Sequence, residues 1–403
     1  MRVLSRVIIG LLMVHASGIA CTSAVISGRA TVDGRPILWK HRDSDFERNK
    51  LRYFQGPRFA FLGVVNSDSL QDEVWMGSNS AGFSIINTAA YNMNVGVRCP
   101  REDEEGIFMR QALGACATLA DFEQYLRDTE GKRGVDANFG VIDALGGAAY
   151  YEVGCARWVK YDANDPATAP DGYLLRTNYA LSGDPARRKG TVRYATITRL
   201  MAEEFTAHKF SVEFILNEAD RSLKHAILDR DLAAEVPAES SATRIVLFRD
   251  FIVRSSSTSS LIVQGVLPGE DPALTTLWAV LGFPLTTAAI PVWVAAGPAL
   301  PEMTLSADGK GSPVNEKGLE LKKRCYPLTV DNAYDYMDLA RLFNREGSGI
   351  AQRVARLNAE TYRRSAELLP RWRSSAFQKS EAIGYYRWID AHVGDFYRRE
   401  FGL

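Results

Sequence analysis

Histidine and cysteine are both scarce in this chain, at five each among 403 residues. So few histidines leave little for a histidine-assisted nucleophile or a His-rich metal site. His15 lies in an N-terminal leader, and His208, His225 and His392 fall in helical patterns, where a core or surface role is the expectation. No CxxC occurs. Cys99, Cys116, Cys155 and Cys325 are too widely spaced for a zinc site. Four cysteines allow three connectivities, and buried free thiols are an equal alternative to disulfides, so pairing stays open at this point.

A charge excess is missing too: 48 basic residues face 48 acidic ones, with no basic block. Nucleic-acid binding therefore has no electrostatic support. Long hydrophobic runs are absent beyond the leader. Residues 278–300 are apolar, but Pro284, Pro291, Gly297 and Pro298 break them, as in buried strands and loops rather than a membrane span. No integral membrane segment is expected once the leader is gone. The hydrophobic share of 46% is that of an ordinary globular protein, long enough for one large domain or two smaller ones.

What the chain does have is a leader ending at a cysteine. Arg2 and Arg6 precede an apolar stretch from Val7 to Val14, and Gly18 and Ala20 put small residues at −3 and −1 of a signal-peptidase site. Residues 1–20 thus read as a signal peptide, and export to a periplasmic or extracellular space is expected. Cleavage makes Cys21 the mature N-terminus. A lipoprotein signal is the rival reading, but such signals favour Leu where this chain has Gly18.

Past the leader, Thr22–Ser27 and Pro36–Lys40 read as a hairpin across Asp33-Gly34. Further strands are expected at Phe59–Val65, Val74–Met76, Phe83–Thr88, Asn138–Asp143, Ala148–Val153, Arg157–Tyr161 and Tyr173–Asn178. Strands return at Arg244–Val253, Ser259–Gln264 and Thr276–Val280. Helices are expected at Glu104–Ala117, Leu119–Arg127, Val192–Phe205 and Ser211–Leu223, and through the C-terminal third. There Tyr385, Trp388, Ile389, His392, Val393 and Phe396 share one helical face. Strands and helices come in blocks, which predicts an α+β fold with stacked antiparallel sheets rather than a doubly wound parallel one.

An N-terminal cysteine is a self-sufficient nucleophile. Free α-amines titrate near 7.7–8.0, so the amine of the same residue can take the thiol proton, without histidine. The acyl-thioester that follows needs an oxyanion hole, for which backbone N–H groups and an asparagine amide are suitable donors. A carboxylate near the amine would orient it.

The segment C-T-S-A-V-I-S-G-R-A-T-V-D-G-R-P-I-L-W-K-H-R-D (21–43) resembles the N-terminal nucleophile (Ntn) hydrolases of the choloylglycine hydrolase and penicillin acyltransferase type, especially their peptidase C45 and C69 relatives. W-M-G-S-N-S-A-G-F-S-I-I-N-T (75–88), E-G-I-F-M-R-Q-A-L (105–113), A-N-F-G-V-I-D-A (137–144), A-Y-Y-E-V-G (149–154) and L-L-R-T-N-Y-A-L-S-G (174–183) resemble family segments in family order. So do T-T-L-W-A-V-L-G-F-P (275–284) and I-P-V-W (290–293).

The resemblance implies an αββα sandwich of two stacked sheets between helical layers over 21–330, with a helical segment at 331–403 packing on the same domain. It implies Cys21 as nucleophile and, through its amine, base. Asp43 would contact that amine, Asn87 would donate to the oxyanion, and Asn178 would position amine and substrate. The family arginine three residues before its aspartate is replaced here by Lys40, whereas a register through Asp45 offers Arg42. Arg254 is a candidate for a later family arginine. The implied activity is hydrolysis of small-molecule linear amides through an acyl-thioester. An acyltransferase shares the first half of that mechanism, and a lipid-anchored binding protein using Cys21 as attachment point is a third reading. No metal or organic cofactor is implied, and a homo-oligomer is left open. Tyr53, Phe54, Phe59, Phe61 and Tyr91 are candidates for an apolar acyl pocket.

Overall fold

The computed structural model describes residues 20–69, 72–238, 242–306, 310–328 and 331–403, so the expected leader lies outside them except for Ala20. Two antiparallel sheets dominate. The first has six strands, ordered β10 (Tyr173–Arg176), β1 (Cys21–Ile26), β2 (Ile37–Asp43), β14 (Ser257–Gln264), β15 (Thr276–Val280) and β16 (Ala289–Val292). The second runs in chain order: β3 (Asn49–Gln55), β4 (Ala60–Asn66), β5 (Met76–Asn79), β6 (Ser84–Ala89), β7 (Ala137–Ile142), β8 (Ala148–Val153) and β9 (Trp158–Asp162). Two short ribbons pair β11 (Lys224–His225) with β12 (Arg230–Asp231), and β13 (Ile245–Leu247) with β17 (Tyr336–Asp338).

Strand alternation explains why the sheets stack. Val25, Leu38, Leu261 and Val263 of the first sheet meet Leu62, Val64, Met76, Ile86 and Tyr150 of the second in one buried core. The opposite face of the first sheet, with Ala24, Ile26, Trp39 and Ile262, packs on Ile197, Leu200 and Met201 of α3 (Thr191–Ala207). The outer face of the second sheet, with Phe83, Ile85 and Phe139, packs on α1 (Glu105–Ala115) and α2 (Leu119–Asp128) through Phe108, Met109 and Phe122. The layers are therefore α, β, β, α, the expected α+β sandwich. Because both faces of the first sheet are covered, its strands are buried almost throughout.

The remaining helices are α4 (Val212–Phe214), α5 (Pro313–Cys325), α6 (Leu339–Leu342), α7 (Ile350–Ser374) and α8 (Lys379–Phe401). Helix α7 lies against β16, and Tyr397 of α8 donates to Thr286 O at 2.8 Å. Among the described residues no helix is long and apolar enough to cross a membrane.

Several local expectations need correction. The helix read over 211–223 is only α4 followed by a π turn over Ile215–Ala219, and His225 sits in β11 rather than a helix. The strand read over 244–253 is cut to β13; Asp250 takes φ 63°, which no extended strand tolerates. Strand β3 is not among the expected strands, because Asn49, Lys50, Arg52 and Gln55 mask its alternation at a sheet edge. The hairpin turn at Asp33-Gly34 is present, with Gly34 at φ 77°. Cys99 and Cys155 form a disulfide, whereas Cys116 and Cys325 are buried thiols. Burial pushes the Cys116 thiol up to about 12.

One buried pair links β8 to the end of β10, and its carboxylate also holds the loop that follows. Glu152 accepts from Arg176 Nε at 2.9 Å, from Leu181 N at 2.7 Å, and from Ser182 N and Oγ at 2.8 and 2.6 Å. Removing one partner of a buried pair strands the other charge. Glu152→Ala should cost about 3–5 kcal/mol in denaturant unfolding. A loss below about 1 kcal/mol, the range of an exposed pair, would contradict this role.

Candidate active site

Cys21 opens β1, a strand paired on both sides, and stands opposite Arg42 of β2. Opposed residues of an antiparallel pair project to the same face, and neighbours alternate. Cys21, Ser23, Lys40 and Arg42 therefore share the face toward the second sheet. Thr22 and His41 share the face toward α3. The site is split by the sheet into a thiol side and an amine side.

On the thiol side, Lys40 Nζ donates to Asn87 Oδ1 at 2.6 Å and to Trp75 O at 2.8 Å. Because an ammonium only donates, the atom of Asn87 facing it must be the oxygen. That fixes the Asn87 amide with its Nδ2 donor turned away from Lys40. Burial pulls Lys40 down to about 8, opposed chiefly by the negative charge that the Cys21 thiolate would carry. Arg42 is spent elsewhere. It donates to Asn49 Oδ1 at 2.9 Å, Asn66 Oδ1 at 3.0 Å and Ser44 Oγ at 3.1 Å, with its guanidinium 4.9 Å from the centroid of the Trp75 ring. Burial lowers it to about 10. Neither Lys40 nor Arg42 makes the grip on Asp43.

On the amine side, Cys21 N donates to Asn178 Oδ1 at 2.8 Å. The same oxygen accepts from Arg193 Nη2 at 2.7 Å, while Asn178 Nδ2 donates to Ala89 O at 3.0 Å. Arg193 also donates to Thr22 Oγ1 at 2.9 Å and to Cys21 O. It sits in the first turn of α3, where the helix dipole disfavours a cation, and burial, then repulsion from Arg254, brings it down to about 9. Asp43 is gripped by Arg254 Nη2 at 2.6 Å and by Ser257 Oγ at 2.7 Å. A bulge at Thr258 shifts the β2–β14 register between Ser257 and Ser259 and sets Ser257 opposite Asp43. While Ala20 is still attached, Cys21 N carries a single hydrogen, and Asn178 takes it. Arg254 Nη2 lies 3.5 Å from Ala20 O.

A cleft of about 740 Å³ is lined by Ala20, Asp43 and Arg254 together with Leu319, Tyr326 and Tyr334, next to Cys21 but without Cys21, Asn87 or Asn178 in its lining. The aromatics proposed for an acyl pocket are not in its lining. Phe54 and Phe61 instead stack at 4.8 Å in the helix-side core of the second sheet. Among the described residues no group of three or more His, Cys, Asp and Glu side chains is placed to hold a metal ion.

The fold thus brings Cys21, Lys40, Asp43, Asn87, Asn178 and Arg254 together, while Arg42, directly opposite Cys21, is engaged by Asn49, Asn66 and Ser44. Sequence reading missed Arg193, Ser257, Asp220 and His41. Their one local signal is K-H-R-D at 40–43, four ionisable residues in a strand that begins I-L-W.

No family model matches this chain, and no curated protein does. Solved structures do. The Caenorhabditis elegans ortholog of N-acylethanolamine-hydrolyzing acid amidase is 17% identical, over 45% of this chain and 79% of its own, at TM-score 0.35. A variant of conjugated bile acid hydrolase from Clostridium perfringens is 10% identical, over 68% and 92%, at TM-score 0.40. Penicillin V acylase from Agrobacterium tumefaciens is 11% identical, over 68% and 86%, at TM-score 0.34.

The buried lysine gives a pH prediction. Lys40 titrates at about 8 when folded against an ordinary 10.5. Between those values the unfolded chain binds the extra proton, so stability rises with pH across that window, by about 3 kcal/mol. Lys40→Met should lose this rise relative to wild type in denaturant unfolding at the two ends of the window. Parallel slopes for the two proteins would contradict it.

Proposed function

We propose that this chain is an exported Ntn hydrolase of non-peptide linear amides that works through an acyl-thioester on Cys21. One observation carries the reading: the backbone nitrogen of Cys21 is held by Asn178 on one side of β1, while Lys40 fixes the amide of Asn87 on the side of the thiol. Nucleophile, base and a neutral oxyanion donor then converge at one strand end. The leader pattern and the Cys99–Cys155 disulfide support export.

Removal of residues 1–20 turns the Cys21 nitrogen into a primary amine. That amine accepts the thiol proton, and Sγ attacks the substrate carbonyl. The oxyanion of the tetrahedral intermediate is met by Asn87 Nδ2 and a backbone N–H. The protonated amine gives its proton to the leaving nitrogen, the C–N bond breaks, and the thioester remains. Water, deprotonated by the same amine, then releases the acid and the free thiol. Arg193 supports the arrangement by holding Asn178 Oδ1 and Cys21 O together.

The lipid-anchor reading fits less well. Gly18 stands where lipoprotein signals favour Leu. An acyltransferase differs only in which nucleophile meets the thioester.

Processed protein should release the fluorophore from members of a panel of acyl-aminomethylcoumarin amides. Cys21→Ala should lose that activity, by at least about a thousandfold, while unfolding at the wild-type midpoint. A tag left on the Cys21 amine should inactivate equally. Comparable turnover by the tagged and processed forms would remove the amine from the mechanism.

A further inference from the structure

Behind Asp43 lies a chain of buried polar groups that take no part in the acyl transfer itself. His41 Nδ1 is 2.9 Å from Asp220 Oδ1, and His41 Nε2 is 2.7 Å from Ser257 Oγ. Ser257 Oγ in turn is 2.7 Å from Asp43 Oδ1 and accepts from Arg254 N at 3.0 Å. His41, Asp220, Ser257 and Asp43 are each at most 1% exposed. Asp220 comes from the turn after α4, where its Oδ1 also accepts from Trp39 Nε1 at 3.1 Å.

With Asp43 and Asp220 both ionised, counting hydrogens gives the protonation of this chain; among the described residues Asp220 Oδ2 has no hydrogen-bond partner. A hydroxyl has one hydrogen and two lone pairs. The Arg254 N–H occupies one lone pair of Ser257. An ionised Asp43 can only accept, so the Ser257 hydrogen goes to Asp43. The second lone pair must then accept from His41 Nε2, which carries a hydrogen. At the other ring nitrogen, an ionised Asp220 can only accept, so Nδ1 carries a hydrogen as well. Two ring N–H groups make an imidazolium. Its charge lies between two carboxylates, and the second carboxylate is balanced on its far side by Arg254 at 2.6 Å. A buried cation with both donors satisfied and anions at both ends is the arrangement that offsets its desolvation. A neutral His41 would leave one carboxylate facing a bare lone pair.

We propose that His41 is a positioning residue of this site: a buried imidazolium that, acting through Ser257, holds Asp43 ionised and aimed toward the Cys21 end of β1. The charged groups around the pair are Asp220 and its neighbour Arg221 from the turn after α4, Arg254 and Asp250 from the segment before β14, Arg193 from α3, and Cys21 itself. The effect on turnover rests on the amidase reading; the protonation of His41 does not.

Histidine-selective ¹⁵N NMR on the processed full chain, with His41 assigned by comparison with His41→Asn, tests the charge directly and needs no substrate. Both His41 nitrogens should give protonated-type shifts at neutral pH. One protonated and one bare nitrogen there would overturn the proposal, whatever the enzyme does. The second readout is the carboxyl ¹³C shift of Asp43, assigned by comparison with Asp43→Asn and followed through a pH titration. Ser257→Ala cuts the link without touching either charged group, and a carboxylate that loses its cationic neighbour takes up a proton at higher pH. The Asp43 transition should move up by about one pH unit. A folded Ser257→Ala protein with an unshifted Asp43 transition would also overturn the proposal. Should that variant not fold, the His41 result decides alone. If no amide is turned over by wild type, the amidase reading fails while the His41 result still stands.

Discussion

The pairing of β1 with β2 is the constraint on which the rest depends. Its register sets Cys21 opposite Arg42 and Ser23 opposite Lys40, and the pleat then sends alternate side chains to opposite faces. A slip of one residue would move the thiol from the inter-sheet face to the α3 face, away from Lys40 and Asn87. Each side of the strand end is locked by a different partner: β10 pairs with β1 and leads directly to Asn178, while β14 pairs with β2 and supplies Ser257. The strand that carries Cys21 is therefore an interior one, with Cys21 itself laddered to β2.

Charge burial is the second theme. Lys40, Arg42 and Arg193 are all buried within this small region, and desolvation is the largest influence on each. Such groups persist only where hydrogen bonds and counter-charges offset their loss of water. Here the offsets are mainly neutral: asparagine oxygens, hydroxyls and backbone carbonyls. Neutral acceptors hold the cations in place without cancelling their field, which leaves a positive environment on the face that Cys21 shares with Lys40 and Arg42. Asp43 projects instead to the α3 side of β2, where Arg254 and Ser257 hold it.

Much of this is legible in the amino-acid sequence. Aliphatic alternation and the Asp33-Gly34 turn mark the β1–β2 hairpin, and blocks of strands and helices mark the layered α+β class. Cys21, Asp43, Asn87 and Asn178 stand in short segments whose order is itself informative. The polar network is not legible there, because its members carry no local period. His41 meets Asp220 from 179 positions away, and Cys21 meets Arg193 from 172. Asp220 also marks where the helix after Ser211 stops early: its backbone N–H closes the π turn on Ile215 O, and its carboxylate is turned to His41 and Trp39. The apolar run 245–253 misleads for a related reason. It folds back at Asp250 to deliver Arg254 to Asp43, so burial there reflects the site and not a strand.

The central claim is that the sulfur of an N-terminal Cys21 carries the acyl group. Intact-protein mass spectrometry after rapid acid quench of the processed enzyme with an amide substrate tests it most directly. The account predicts a chain beginning at Cys21, with an adduct of the acyl mass on its sulfur that disappears as substrate is exhausted. An active protein whose chain still begins before Cys21, or whose Cys21 bears a diacylglyceryl group, would contradict it.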